Sequence, residues 1–191
     1  MYPELFLLRH GETEWNRAGR FQGRLDSPLT EKGRAQAIRQ GEILAKAKVN
    51  SADFQFISSP QGRARQTAKL ALTRFEGVIE EDPLLQEIDV GLWQGLTNDQ
   101  IAASAPGATD ERDPFFWNDA APEGEGFIGV EARVRAFLAR LDRPSVVVTH
   151  GVFLRFLRGA LLGLDLEEIS GLQDGQGVVY RIKDGRQTRL S

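Results

Sequence analysis

Leu5-Phe6-Leu7-Leu8-Arg9-His10-Gly11 opens with four apolar residues and then breaks into a cation, an imidazole and a glycine. A short apolar run without polar alternation reads as a β-strand covered on both faces, as the strands of a parallel sheet are. The pattern recurs twice. Phe54-Gln55-Phe56-Ile57 runs into Ser58-Ser59-Pro60 with Arg63 close behind, and Val146-Val147-Val148 runs into Thr149-His150-Gly151. Helical stripes lie between: Ala64, Thr67, Ala68, Ala71, Leu72 and Phe75 share one face, as do Val130, Val134, Phe137, Leu138 and Leu141. Thr30 is placed to cap a helix running to about Lys48, and Ser59 to cap the helix after the second strand, with Pro60 in its first turn. Phe153, Phe156, Leu157, Ala160 and Leu161 predict a helix directly after His150, and residues 178–182 and 188–190 around Asp184-Gly185 predict a terminal hairpin. Alternation of this kind means an α/β fold: a three-layer sandwich with a mostly parallel central sheet flanked by helices. Parallel strands end on one edge of the sheet, where open α/β sheets bind ligands. Arg9, His10, Arg63 and His150 are therefore expected to converge, although the two histidines lie near opposite ends of the chain.

Composition narrows the chemistry. The chain has 191 residues, 41% hydrophobic and 27% charged, with a net charge of −3. No repeat, low-complexity tract or linker divides it, so residues 1–191 are expected to form one domain. A domain of this size buries about 70% of its unfolded surface and needs no covalent staple. The absence of cysteine excludes disulfides, thiol nucleophiles and thiolate-held metals. The mildly acidic balance argues against nucleic acid as a partner. No apolar run approaches a membrane span, and the N-terminus lacks the basic region of a signal peptide, so a cytoplasmic location is expected. With 19 Arg and 5 Lys, the basic residues are mostly guanidinium, and Arg9, Arg17, Arg20 and Arg24 precede the first lysine. Guanidinium is the better bidentate partner for phosphate or carboxylate.

Residues 104–129 fit neither a helical nor a strand period. They hold three prolines and several glycines but also Phe115-Phe116-Trp117, which predicts an ordered flap beside the site. Taken singly, the candidate residues have ordinary structural readings. His150 would be a strand-end histidine, Arg63 a solvated helix residue, Glu87 a surface carboxylate and Trp93 a core residue. Their joint placement is what points to chemistry.

The residues also carry a resemblance. Arg9-His10-Gly11-Glu12-Thr13, Trp15-Asn16, Arg20-Phe21-Gln22-Gly23 and Asp26-Ser27-Pro28-Leu29-Thr30 resemble the opening signature of the histidine phosphatase superfamily, the phosphoglycerate mutase-like family. Ser58-Ser59-Pro60 with Arg63-Ala64 and Thr67-Ala68 is similar to its second block. Glu87 with Gly91-Leu92-Trp93-Gln94-Gly95 is similar to the third, and Val148-Thr149-His150-Gly151 to the fourth. The blocks stand in family order over most of the chain. One departure is visible: many members have Gly-Glu-Ser where this chain reads Gly124-Glu125-Gly126, which removes a hydroxyl cap from the following helix.

The resemblance implies a phosphomonoesterase acting on a small phosphorylated metabolite through a phosphohistidine intermediate on His10, with no cofactor. Arg9, Arg63 and His150 would hold the transferring phosphoryl group, and Asn16, Gln22, Gly23 and Gly151 would complete its site. Gly11 is expected to let the backbone approach the phosphate. Neighbouring guanidiniums should keep the nucleophilic imidazole neutral. Glu87 would protonate the leaving oxygen and then activate water. Neither histidine has a second ligand at metal spacing, and arginine supplies the positive charge a metal would bring, so no metal is expected. Two other readings remain. One is a cofactor-dependent phosphoglycerate mutase; members of that kind carry a longer insertion than residues 88–149 between the positions of Glu87 and His150. The other is a phosphate-binding module without catalysis, against which stands the presence of every reacting residue. Arg17, Arg20, Arg24 and Arg112 are candidates to read a second anionic group.

Overall fold

A computed structural model describes residues 2–105, 107 and 113–191. In chain order the strands are β1 (Leu5–Arg9), β2 (Gln55–Ser58), β3 (Ile79–Glu81), β4 (Ser145–Thr149), β5 (Val179–Lys183) and β6 (Arg186–Leu190). The helices are α1 (Glu14–Arg17), α2 (Glu31–Lys46), α3 (Gly62–Leu72), α4 (Asn98–Ser104), α5 (Pro114–Ala120), α6 (Gly126–Ala139), α7 (Gly151–Leu162) and α8 (Leu166–Ser170). The strands form one mixed sheet in the order β3-β2-β4-β1-β5-β6. The first four are parallel to one another, and the C-terminal hairpin adds two antiparallel strands at one side.

Alternation along the strands sorts the core into two layers. Leu5, Leu7, Ile57, Val147 and Ile182 pack with α6 and α7 on one face, while Phe6, Leu8, Phe56, Val146, Val148 and Val179 pack with α2 and α3 on the other. The three-layer α/β architecture expected from the strand–helix alternation is the one observed. Thr30 caps α2 as expected, its hydroxyl accepting the Gly33 N–H at 3.0 Å. The hairpin turns at Asp184-Gly185, both at positive φ (51° and 69°), the conformation a two-residue turn between twisted strands requires.

Four details differ from the sequence reading. The helix expected from Ser59-Pro60 begins at Gly62, and its first-turn Arg63 N–H is received by the Asp26 carboxylate at 3.1 Å. Ser59 is engaged elsewhere. The short polar strand β3 has no apolar run to announce it; it exists because its backbone pairs with β2. Residues 104–129 are not irregular throughout, since α5 lies inside them, started by Asp113 and Pro114. Its Phe115 is buried against Phe127 and Phe156 in the core. Finally, Gly126 has φ 63°, which a serine there would adopt only with strain. The missing hydroxyl is replaced from α5: Asp119 Oδ1 accepts the Phe127 N–H at 2.7 Å at the start of α6. Among the described residues no helix is long and apolar enough to cross a membrane.

Candidate active site

Register explains why distant residues meet. Strand β4 lies between β1 and β2, with Thr149 opposite Arg9 and Val148 opposite Ser58. The His10 N–H donates to Thr149 O and the Ser59 N–H to Val148 O, both at 2.9 Å. Both histidines and Ser59 therefore leave adjacent parallel strands at one level of the C-terminal edge, and the two imidazole centroids are 5.2 Å apart. A cavity of about 300 Å³ opens there, bordered by Arg9, His10, Asn16, Gln22, Gly23, Arg63, Glu87 and Gly151. Of the site residues expected from the sequence, two are not on its wall: Gly11, and His150, whose ring is wholly buried and packs against His10. A larger open groove of about 730 Å³ lies on the side of Asp26, Arg65 and Lys69, but its wall holds neither imidazole nor Glu87.

His10 Nδ1 lies 2.8 Å from Gly11 O, so its proton is donated to that carbonyl and Nε2 keeps its lone pair for the cavity. Burial, followed by the Arg63 and Arg9 charges, pushes the His10 pKa well below the ordinary 6.5. His150 is shifted the same way, by burial first and then by Arg63, His10 and Arg9. Both shifts favour the neutral imidazole. The expected role of Gly11 changes. A Cβ on Gly11 would meet Gly33 O at 2.2 Å, and one on Gly33 would meet Glu12 O at 2.0 Å, so this glycine pair lets the loop after β1 press on α2. The Gly11 N–H donates to Thr67 Oγ1 at 3.0 Å.

The two guanidiniums are gripped from behind. Arg63, 1% exposed, donates from Nη2 to Gly23 O at 3.0 Å and from Nη1 to Leu25 O at 2.7 Å and Asp26 Oδ1 at 3.1 Å. Arg9 Nη1 donates to Asp174 Oδ2 at 2.8 Å. Arg9 Nε, Arg63 Nε and His150 Nδ1 are buried and have no protein partner among the described residues. Buried polar nitrogens without partners are rare. Arg9 and Arg63 both border the cavity beside His10, where unpartnered guanidinium donors suit an oxyanion.

Glu87 is held by the start of α7. Its carboxylate accepts the N–H groups of Val152 at 3.2 Å, Phe153 at 3.1 Å and Ile88 at 3.0 Å. Gln61 ties it to the opposite wall, accepting the Glu87 N–H at 2.7 Å while donating to Gly23 O at 2.9 Å. Asn16 Oδ1 accepts from Thr13 N at 3.2 Å and Gln176 Nε2 at 3.1 Å, which leaves the Asn16 amide nitrogen as a donor on the cavity wall.

The arginines sort by contact. Arg20 borders the cavity, donating to Gly95 O at 2.6 Å. Arg17 is exposed and paired with Glu14, while Arg24 binds Gln86 and, at 3.2 Å, Glu125. Arg112 lies outside the described residues. Sequence reasoning missed Asp174, Gln176, Gln61 and Arg155. Arg155 borders the cavity, donates to Ser170 O at 2.9 Å and lies 5.2 Å from the Phe115 ring centroid. The signal for Asp174 and Gln176 was only a polar tract, Gln173-Asp174-Gly175-Gln176, next to a strand.

The family described as "Histidine phosphatase superfamily (branch 1)" matches residues 5–189. A glucosyl-3-phosphoglycerate phosphatase of Mycobacterium tuberculosis is 39% identical over 174 residues, covering 84% of this chain and 75% of that protein. A probable phosphoglycerate mutase GpmB of Yersinia pestis is 34% identical over 166 residues, with the same two coverages of 84% and 75%. The solved structure of a mycobacterial glucosyl-3-phosphoglycerate phosphatase in complexes with VO3 superposes with a TM-score of 0.81 at 35% identity, over 99% of this chain and 97% of that one.

Proposed function

Because the chain belongs to the histidine phosphatase superfamily, we propose that it hydrolyses small organic phosphate monoesters by way of a phosphohistidine on His10. One observation carries this assignment: His10, its Nδ1 beside Gly11 O and its pKa pushed down by burial and the Arg63 and Arg9 charges, borders a cavity together with Arg9, Arg63 and Glu87. His10 Nε2 attacks phosphorus, the N–P bond forms and the ester P–O bond breaks. Glu87 delivers a proton to the departing alkoxide oxygen. Water then enters, gives its proton to the Glu87 carboxylate and attacks phosphorus, returning His10 and releasing inorganic phosphate. Arg9 and Arg63 donate from their Nε edges, and His150 and Asn16 add donors, as charge spreads over the non-bridging oxygens.

The reading asks for no metal ion, because two guanidiniums supply the positive charge and both histidines have roles in the cradle. It also treats α5 as the lid over the leaving group, since Asp113, Pro114, Phe115 and Asn118 border the cavity; residues 106 and 108–112 of the expected flap lie outside the described residues. It places the protein in the cytoplasm and makes its substrates small phosphorylated metabolites, in keeping with the phosphorylated compound in the name of the mycobacterial relative. The mutase name of the Yersinia relative keeps a second reading, in which a hydroxyl of the substrate rather than water takes the phosphoryl group.

Rapid mixing with an activated aryl phosphate followed by an alkaline quench tests the proposal. The wild type is expected to accumulate acid-labile phosphate on His10 and the His10→Ala variant none. Equal turnover by the two proteins would sink it. A phosphate-release panel with phosphoglycerates added as acceptors separates hydrolase from mutase.

A further inference from the structure

Ser59 has no accessible surface, and the reaction as written does not use it. Its Oγ accepts the Gln61 N–H at 3.3 Å and lies 2.7 Å from His150 Nε2. A serine hydroxyl has one proton and two lone pairs. With one lone pair given to Gln61, two arrangements are open. Either the hydroxyl donates to His150 Nε2, or Nε2 carries a proton and donates to Oγ. The second arrangement leaves the Ser59 proton seeking another acceptor, and among the described residues this hydroxyl makes no other hydrogen bond. A buried donor without a partner is disfavoured. The first arrangement satisfies every group. His150 Nε2 is then an acceptor, and a neutral imidazole places its one proton on Nδ1.

That nitrogen is the buried, unpartnered one on the ring that packs against His10. We propose that Ser59 is a positioning residue for phosphoryl transfer: its hydroxyl fixes His150 as the Nδ1–H tautomer and so turns toward the oxyanion a donor instead of a lone pair. The inference rests on the phosphohistidine reading for its purpose, but not for its geometry. It also explains how two neutral imidazoles serve opposite needs. Gly11 O holds the proton on Nδ1 of His10 and frees Nε2 to attack. Ser59 holds the proton on Nδ1 of His150 and thereby makes that nitrogen the oxyanion donor. With burial and Arg63 keeping His150 neutral, a second ring proton is not available to substitute for a wrong tautomer.

The test is long-range proton–nitrogen NMR on protein labelled with ¹⁵N-histidine near pH 7.5. The chain holds two histidines, so four ring nitrogens are read, and His10→Gln assigns them. Both wild-type rings are expected to show a protonated, pyrrole-type Nδ1 and a pyridine-type Nε2. In Ser59→Ala, His150 is expected to move its proton to Nε2 while His10 stays unchanged. The dissociation constant for inorganic phosphate should then rise about ten- to a hundredfold, the worth of one hydrogen bond to a charged group. Ser59→Thr should restore both readouts. A wild-type His150 with its proton on Nε2 overturns the proposal without any variant. So does an unchanged phosphate affinity in a Ser59→Ala protein whose tautomer has moved. Neither readout depends on turnover, so a missing phosphoenzyme would overturn the reaction and leave the tautomer standing.

Discussion

Asp174 Oδ2 accepts Arg9 Nη1 at 2.8 Å, while its other oxygen accepts Arg155 Nη2 at 3.3 Å. One carboxylate on the loop before β5 thus fixes a cavity-lining guanidinium on β1 and a second cavity-lining guanidinium on α7. Burial pushes the Asp174 pKa up, but the Arg9 and Arg155 charges outweigh it and hold the carboxyl below the usual range. Gly151 makes room for the pair, since a Cβ there would stand 2.6 Å from Asp174 Oδ2. Asp174→Ala is expected to free Arg9 and lower kcat/KM for an aryl phosphate about ten- to a hundredfold, as loss of orientation at a reacting group does. Asp174→Asn, which keeps an acceptor but not the charge, should fall between. Unfolding midpoints measured alongside should move little for Asn; a kcat/KM equal to wild type in the alanine variant would refute the clamp.

The Gly11–Gly33 contact is a matter of backbone against backbone, with no flexible side chain to give way. Gly33→Ala is expected to cost about 1–3 kcal/mol or more through overpacking. Gly11→Ala should cost a similar amount and also displace His10, which follows directly from β1. Urea unfolding of both variants, with kcat for the folded fraction, measures the two effects separately. Loss of stability with normal kcat is expected for Gly33→Ala and loss of both for Gly11→Ala.

Asp119 makes a distinct prediction about α6. Because Gly126 sits at φ 63°, a serine placed there would strain the backbone without restoring a cap. Asp119→Ala should therefore destabilise the protein by about 1–2 kcal/mol, the range for a lost N-cap. Gly126→Ser in that background should fail to recover it. Thermal unfolding of the single and double variants decides; recovery by the serine would mean that the family's usual cap still works in this chain.

Strand ends and the residues beyond them were legible because burial on both faces leaves an apolar run that stops abruptly, as at Leu8 and Val148. Arg9, His10, Arg63 and His150 meet for that reason, and parallel register does the rest, while Glu87 was legible only through the family resemblance. What was not legible depends on partners remote in sequence. Strand β3 owes its existence to pairing with β2, and Ser59 reads as a cap until His150 is seen 2.7 Å away. Asp174 and Gln176 lie in a polar loop whose composition is that of any turn. Only the return of that loop to β1 and α1 gives them Arg9 and Asn16 as partners.

The two buried histidines set the response to acid. Both have pKa values well below 6.5 in the folded protein, by burial first and the nearby guanidiniums after it, whereas an unfolded chain titrates near about 6.5. Below that pH the unfolded state takes up protons that the folded state refuses, so stability rises with pH there. The stabilisation from neutral histidines is complete above about pH 6.5 and is lost as pH falls toward the folded values. Asp174 and Glu125, also lowered, add a loss of the same sign only in the carboxylate range further down. Urea midpoints are therefore expected to be level from pH 8 to 7 and to decline from pH 6.5 to 5 with a slope approaching two protons. His10→Gln should remove about one proton of that slope and the His10→Gln/His150→Gln pair nearly all of it. Activity should not share the decline: with His10 still unprotonated, kcat/KM of the folded enzyme should show no acid limb near 6.5. A slope that survives in the double variant would assign the acid response to groups other than the two imidazoles.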